Sequence, residues 1–315
     1  MLELLNVPLL VGGLGLFIHA IGELSSHLRA AFTDDARDIV KKYTRHLLGA
    51  VVIGTLVTLI LGSSSAAIIL AIVFINAGAL DFRHAVGLIL GANIGTTFSS
   101  QLIALDIAAY SYVAIVLGLA IFMIANDERW RLGGQIVLYL GLLFFGLFLM
   151  ESSVEALKDS AGFEEWIAKL NNPYRGAAVG GLITLIIQSS SATVGLAIVL
   201  GKQDLISVAG GLAVMLGAEL GTCSDTLLAT LGGGREALKA GIFHLVFNFF
   251  TIVLGLLLFT PFVQAVEWIS SGQGIDNHIA NGHLLFNLGG VLVFLPFAQL
   301  AIRIFDKVLP SPQGA

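Results

Sequence analysis

Two serine triplets, Ser63, Ser64, Ser65 and Ser189, Ser190, Ser191, stand 126 residues apart in otherwise apolar stretches of this 315-residue chain. Each is followed, again at an offset of 126, by a glycine–threonine segment: GANIGTT at 91–97 and GAELGTC at 217–223. A hydroxyl can donate to an anion or offer lone pairs to a hard cation. The residues after each triplet are expected to begin a new half-helix, whose free N–H groups and positive dipole end attract anions. Ser63, Ser64, Ser65, Gln188, Ser189, Ser190, Ser191, Thr96, Thr97 and Thr222 are therefore the candidate substrate ligands. Asn93, Thr193, Glu219, Ser224 and Asp225 are the candidate ligands for a coupling cation, expected to be Na⁺, with no transition-metal site and no organic cofactor.

The two halves are chemically unequal. Gln188 stands where the first half has Gly62, and Glu219 and Asp225 stand where it has Asn93 and Ser99. Carboxylates at membrane depth are candidates for cation binding or proton carriage. Small-residue clusters can also be plain packing faces, with Ser and Thr bonded back to their own helix. Two triplets in one register, each followed by the same element, favour a site over packing.

A further pattern, HLxFN, occurs at His244–Asn248 and His283–Asn287. On a helix, residues i and i+4 share a face, and an interhelical hydrogen-bonded contact is the expected role, with ion-pathway lining second. The other histidines show no metal-ligand spacing, and the chain has no GxSxG, HExxH, P-loop or CxxC signal. Cys223 is the single cysteine, so no intramolecular disulfide can form.

The elements that must position these residues are membrane helices. Hydrophobic residues make up 57% of the chain, charged residues only 12%, and the mean hydropathy is +0.92. So few charges cannot cover the surface of a soluble domain, and the net charge of −5 argues against a nucleic-acid partner. Long apolar runs fall at about 4–24, 47–80, 84–105, 107–125, 133–152, 176–201, 205–231, 237–260 and 280–302. With no basic residue ahead of it, the first run is expected to be a retained helix rather than a cleaved signal peptide. Ser25–Arg45 and Ser152–Arg175 mix charges with spaced apolar residues and read as amphipathic helices at the interface. The run 47–80 is too long for one crossing, at roughly 50 Å as a single helix. A hairpin turning at its serines is expected, which lipid tolerates only where protein or a water-filled cavity surrounds the turn.

The chain also contains itself twice. Aligned without a gap, residues 50–105 and 176–231 are identical at 20 of 56 positions, with both polar motifs in the same register. If each hairpin enters and leaves on one side, the first unit crosses three times, and an odd number inverts the second unit. The basic residues agree: twelve of the 16 Lys and Arg fall on one side, which the positive-inside rule makes cytoplasmic. The expected fold is thus an all-α membrane protein of two inverted-topology repeats. Each has a serine-tipped re-entrant helical hairpin and a discontinuous transmembrane helix. The first repeat spans 1–132 with its hairpin at 47–80. The second spans 133–315 with its hairpin at 176–201, followed by C-terminal helices. The expected location is the inner (plasma) membrane, multi-pass, with the C-terminus cytoplasmic. Transporters of this architecture bind substrate near the midplane between the halves. No Lys or Arg is expected inside any predicted span, so a bound anion must be balanced by cations and helix dipoles.

At these residues the sequence resembles the type II sodium/phosphate cotransporter family over roughly residues 10–300. Members carry a QSSS motif in each of two inverted repeats, a GANIGTT-like segment after each, and HxxFN-like helices. Here the matches are QSSSAT at 188–193, a partial SSSA at 63–66, GANIGTT at 91–97 and HLLFN at 283–287. The resemblance implies Na⁺-driven uptake of inorganic phosphate by alternating access, with the serines and following threonines at the substrate and Na⁺ sites. It also implies a chain without the C-terminal regulatory domain of some bacterial relatives. The departures are Gly62 in place of the first Gln, Glu219 in place of the second Asn, and Cys223 and Asp225 in place of Thr or small apolar residues. The expected partners are phosphate, Na⁺ and the lipid bilayer, with a homodimer kept open as the assembly. Three alternatives remain at this level. One is a Na⁺- or H⁺-coupled carrier of another small oxyanion. The others are a membrane-embedded lipid-phosphate phosphatase, disfavoured because it would need an arginine for the phosphoryl group, and a passive anion channel.

Overall fold

The computed structural model describes residues 6–30, 43–44, 46–78, 80–105, 110–154 and 161–310. Among these residues the fold is helical, without a strand. The helices are α1 (Val7–Ala30), α2 (Leu47–Leu61), α3 (Ser64–Asn76), α4 (Phe82–Ala104), α5 (Ser111–Ile124) and α6 (Glu128–Val154). There follow α7 (Ala161–Ala168), α8 (Pro173–Ile187), α9 (Ser190–Lys202), α10 (Val208–Gly221), α11 (Cys223–Leu228) and α12 (Arg235–Leu257). Last come α13 (Phe259–Ile269), α14 (Ile275–Phe294) and α15 (Ala298–Val308). Among the described residues five segments are long and apolar enough to cross a bilayer: Val7–Leu24, α4, α6, α12 and Ile275–Val308. A multi-pass membrane protein follows from their number and length.

Each serine triplet sits at a break between two short apolar helices, as expected of the stretches 47–80 and 176–201. The backbone solution is the same twice. α2 ends on Gly62 at φ 63°, and α8 ends on Gln188 at φ 57°, both left-handed. The next residue is extended and caps the next helix: the Ser63 hydroxyl accepts from the Ala66 N–H and the Ser189 hydroxyl from the Ala192 N–H, both at 3.2 Å. A left-handed C-cap followed by a serine N-cap reverses the chain and satisfies one first-turn amide of the next helix.

The packing recurs at the same offset. α2 lies along α4, and α8 along α10. Gly91 faces the Val51 carbonyl and Gly217 the Ala177 carbonyl so closely that a Cβ at either position would overlap the oxygen. Gly95 meets Thr58 and Gly221 meets Thr184 in the same manner. These glycines let two backbones approach to direct contact, which is how membrane helices associate where burial of apolar surface gives no drive.

Charged groups gather at the two ends of α4. At its start, the buried Lys239 donates to Glu236 at 2.6 Å and to Asp306 at 2.9 Å, while Arg83 lies 3.6 Å from Asp306. Glu236 also accepts from the Phe82 N–H, the first amide of α4. Beyond its other end, Lys202 donates to the Leu105 carbonyl and pairs with Glu151.

Several expectations are corrected. α4 runs unbroken through GANIGTT, without the expected discontinuity; in the second half α10 ends at Gly221 and α11 begins at Cys223, but Thr222 between them keeps helical dihedrals and bonds its N–H to the Ala218 carbonyl. Asn93, Ile94 and Thr96 are ordinary helix residues, and the small side chains there serve packing against α2 rather than a break. Lys239 lies three residues into the expected span 237–260 and is only 1% exposed, its charge met by two carboxylates from α12 and α15. α13 was not foreseen, because apolarity alone places the end of the preceding span at 260. Of the two amphipathic stretches, 25–30 continues α1, 161–168 forms α7, and 31–42, 45 and 155–160 lie outside the described residues.

Candidate functional site

The serine tips are half-helix N-termini buried within the bundle. Ser64 and Ser190 are the first residues of α3 and α9, and both are buried. Ser63 and Ser189 are occupied as caps, so their oxygens already accept one hydrogen bond each. The N–H groups of Ser64 and Ser65, and of Ser190 and Ser191, belong to the first turn of their helices and have no intrahelical carbonyl to meet.

The two halves interlock. α3 packs on α11 of the second half, and α9 packs on α4 of the first. At the first of these contacts Ser65 lies beside the carboxylate of Asp225, which accepts from the Thr226 N–H at 2.9 Å. Ser99, the first-half equivalent of Asp225, donates to the Gly62 carbonyl at 3.4 Å and so holds the tip of its own hairpin.

The remaining predicted ligands divide by where their protons go. Thr97 donates to the Ile94 carbonyl (2.7 Å), Thr222 to Ala218 (3.0 Å) and Ser224 to Gly221 (2.9 Å). Thr193 donates to Ser189 (3.2 Å) and accepts from Thr184 (2.7 Å), and the Asn93 amide donates to Ile89 (2.9 Å). Each of these hydroxyls has spent its proton on its own helix, and the Asn93 amide has spent one of its two. What the hydroxyls can still offer is a lone pair, as does the Asn93 carbonyl, and a lone pair suits a cation. Thr96 is buried in α4 with them. Among the described residues no three His, Cys, Asp or Glu side chains converge on one point, and hydroxyl and carbonyl oxygens of this kind are hard ligands.

Glu219 is met by His283 of the HLxFN pattern, a pairing that the sequence did not specify. His283 Nε2 lies 2.9 Å from Glu219 Oε1, and His283 Nδ1 lies 2.6 Å from Ser100 Oγ. His244 makes the parallel contact: its Nδ1 is 2.8 Å from Thr226 Oγ1, and Thr226 stands 126 residues after Ser100. Asn248 then donates to the Glu219 carbonyl at 2.9 Å. The interhelical hydrogen bonding expected of HLxFN is thus present, and the signal that could have located it is the duplication, which pairs Ser100 with Thr226.

One equivalence fails. Thr184 finds Thr193, but Thr58 has Ala67 where Thr193 would stand, and its buried hydroxyl has no hydrogen-bond partner among the described residues. A cavity of about 280 Å³ opens beside Gly62 and Ser99, walled by Leu59, Phe98, Ile136 and Leu140. Its lining is apolar, so it is unsuited to an oxyanion.

The sequence model of the family described as Na⁺/Pi-cotransporter matches residues 16–152 and 146–275. Among curated proteins, "Uncharacterized protein YqeW" of Bacillus subtilis is 32% identical over 276 residues, covering 85% of this chain and 87% of the relative. "Putative inorganic phosphate export protein YjbB" of Salmonella typhimurium is 25% identical over 256 residues, 80% of this chain, and this chain spans 46% of its length. "Sodium-dependent phosphate transport protein 2B" of Homo sapiens is 26% identical over 187 residues, 56% of this chain and 27% of the relative. No solved structure matches.

Proposed function

The chain belongs to the Na⁺/Pi-cotransporter family, and from that premise we propose that it moves inorganic phosphate across the membrane by Na⁺-coupled symport, alternating access between two inverted repeats, 1–132 and 133–315. The observation that carries this reading is the pair of buried serine half-helix N-termini, built by the same left-handed cap and serine N-cap in each half and packed reciprocally onto the other half.

The chemistry assigns the two ligands to different groups. Phosphate takes the donors: the first-turn N–H groups of Ser64, Ser65, Ser190 and Ser191 and the hydroxyls of Ser64, Ser190 and Ser191, with the Gln188 amide. Dipole and N–H donation together attract an anion at such termini. Na⁺ takes the acceptors: the back-bonded Asn93, Thr97, Thr193, Thr222 and Ser224, with the Asp225 carboxylate. Thr97 and Thr222 therefore move from the substrate set to the cation set. Asp225 beside the first tip makes a nearby anion unfavourable unless a cation lies between them. Coupling is then an electrostatic requirement: without Na⁺ the phosphate faces a carboxylate.

Opposed entry of the two hairpins is supported by the contacts at the ends of α4. α4 starts among Arg83, Lys239 and Asp306, whereas α9 reaches the opposite end, where Lys202 meets Leu105, before α10 turns back into the bundle. The level of the first tip is marked by the Ser99–Gly62 hydrogen bond, six residues short of Leu105, as suits a hairpin that turns inside the membrane. Exposed Val116, Leu117, Met123 and Ile124 on α5, and Leu182, Leu185 and Ile186 on α8, suit an acyl-chain environment. The human relative is named as a sodium-dependent transporter and the Salmonella relative as an exporter. Both fit a symporter, which runs in whichever direction the summed gradients dictate.

The test is radiolabelled phosphate uptake into proteoliposomes. Uptake is expected with an inward Na⁺ gradient, to be absent when choline replaces Na⁺, and to be lost in Ser64→Ala or Ser190→Ala. Uptake that is the same in choline overturns the coupling.

A further inference from the structure

The segment Ile275–Val308 is 34 residues long, roughly 50 Å as one helix. That exceeds the roughly 30 Å hydrocarbon core of a bilayer, and α14 alone, at 20 residues, is long enough to cross it. The chain marks where the excess begins. Pro296 lies in a 3₁₀ turn, Leu295–Phe297, and lacks the N–H that a continuous helix would bond. α15 follows, at the end of the bundle where α4 begins.

α15 has three distinct edges. Its inner edge packs: Ala298 and Ile302 are buried, and the Phe305 ring lies 5.2 Å from that of Phe82, the first residue of α4. Asp306 belongs to this side through its contacts with Lys239 and Arg83. A second edge carries Leu300, Ile304 and Val308, spaced four residues apart and all exposed. The third, next to it, carries Arg303 and Lys307, also exposed.

An exposed apolar row beside cations is the pattern of a helix lying in the membrane interface, with the row toward acyl chains and the basic edge at headgroup level. Arg303 and Lys307 stand one turn apart, and like charges at i and i+4 repel and destabilise the helix that carries them. Among the described residues neither cation is paired with an acid, because the carboxylate of α15, Asp306, is turned to Lys239 and Arg83. An anion between the two side chains removes that repulsion. The guanidinium offers a planar pair of N–H donors to a phosphate, and the ammonium adds a point charge.

We propose that the Arg303–Lys307 edge of α15 binds the headgroup of an anionic phospholipid, with its acyl chains lying along Leu300, Ile304 and Val308. Charge and shape set the occupant together. A zwitterionic lipid brings no net charge to the basic pair, and a free phosphate brings no chain to the apolar row. The site stands apart from the serine tips and goes beyond the transport reading without depending on it.

The experiment titrates the purified full chain in neutral detergent with phosphatidylglycerol, phosphatidylcholine or glycerol 3-phosphate, counting bound molecules by native mass spectrometry. Phosphatidylglycerol is expected to bind more tightly than the other two. Arg303→Gln together with Lys307→Gln should weaken it roughly 30-fold, about fivefold for each cation, and leave phosphatidylcholine unchanged. Arg129→Gln together with Arg131→Gln removes two exposed cations from the start of α6 and should leave phosphatidylglycerol binding at the wild-type value. If the α15 double variant does not fold, Arg303→Gln and Lys307→Gln separately should each show the fivefold step. Phosphatidylglycerol affinity that is unchanged in the α15 variants, or lowered as much by the α6 pair, overturns the site. Glycerol 3-phosphate binding as tightly as the lipid overturns a phospholipid as the occupant.

Discussion

Ser65 at the first hairpin tip lies beside Asp225 of the opposite half, so one repeat sets a carboxylate against the tip of the other. In the second half the tip is anchored differently, for the Ser99 equivalent is Asp225 itself. A negative group placed next to an anion site needs a cation, and the first prediction concerns that cation.

Asp225→Asn keeps an acceptor for Ser65 and removes the charge. The Na⁺ concentration giving half-maximal phosphate uptake is expected to rise roughly tenfold, about 1.4 kcal/mol. Ser65→Ala should produce a smaller rise, and the double variant should fall short of the sum because the two side chains are in contact. Unchanged Na⁺ dependence in Asp225→Asn would remove this residue from the cation site.

The left-handed caps make a second, stability-based prediction. Gln188 at φ 57° bears the strain that Gly62 avoids. Gln188→Gly should therefore stabilise the purified protein by about 1 kcal/mol, and Gly62→Ala should destabilise it by a similar amount. Phosphate affinity should nevertheless drop in Gln188→Gly, since the amide donor is lost. Thermal unfolding and phosphate binding on the same samples separate the two effects.

Thr58 and Thr184 give a third. Thr58→Val removes a buried hydroxyl without a partner and should be neutral or stabilising, whereas Thr184→Val removes the donor to Thr193 and should cost about 1 kcal/mol. Ala67→Thr should restore the missing partner of Thr58 and raise the melting temperature. Equal effects of Thr58→Val and Thr184→Val would show that the duplication does not govern these contacts.

Close helix contact gives the fourth. A methyl group at Gly91 or Gly217 would overlap a carbonyl of the facing helix, so Gly91→Ala and Gly217→Ala should each cost 1–3 kcal/mol or more. Gly133→Ala, on the same type of helix but facing open space, should be tolerated. Yield of monodisperse protein on size exclusion is a sufficient readout.

Much of this was legible in the sequence because polar residues in an apolar chain carry position. Ser63 and Ser189 could be read as turns, and the 126-residue offset predicted equal treatment of Gly91 and Gly217. What escaped depends on partners distant in the chain. Lys239 is buried with its charge met by Glu236 and by Asp306, and Asp306 reaches it from 67 residues away. His283 finds Glu219 across 64 residues, and Ser100 across 183. The unbroken course of α4 escaped for a different reason. Glycine and threonine at 95–97 signal both a helix break and a close helix contact, and only the facing helix α2 decides between them.

Equilibrium binding of phosphate to the purified protein, measured while Na⁺ is varied against choline, tests the central claim most directly. If the tips hold phosphate through cations rather than arginines, Na⁺ must tighten phosphate binding, and phosphate must tighten Na⁺ binding by the same factor. Phosphate affinity that is the same in choline as in Na⁺ would contradict it.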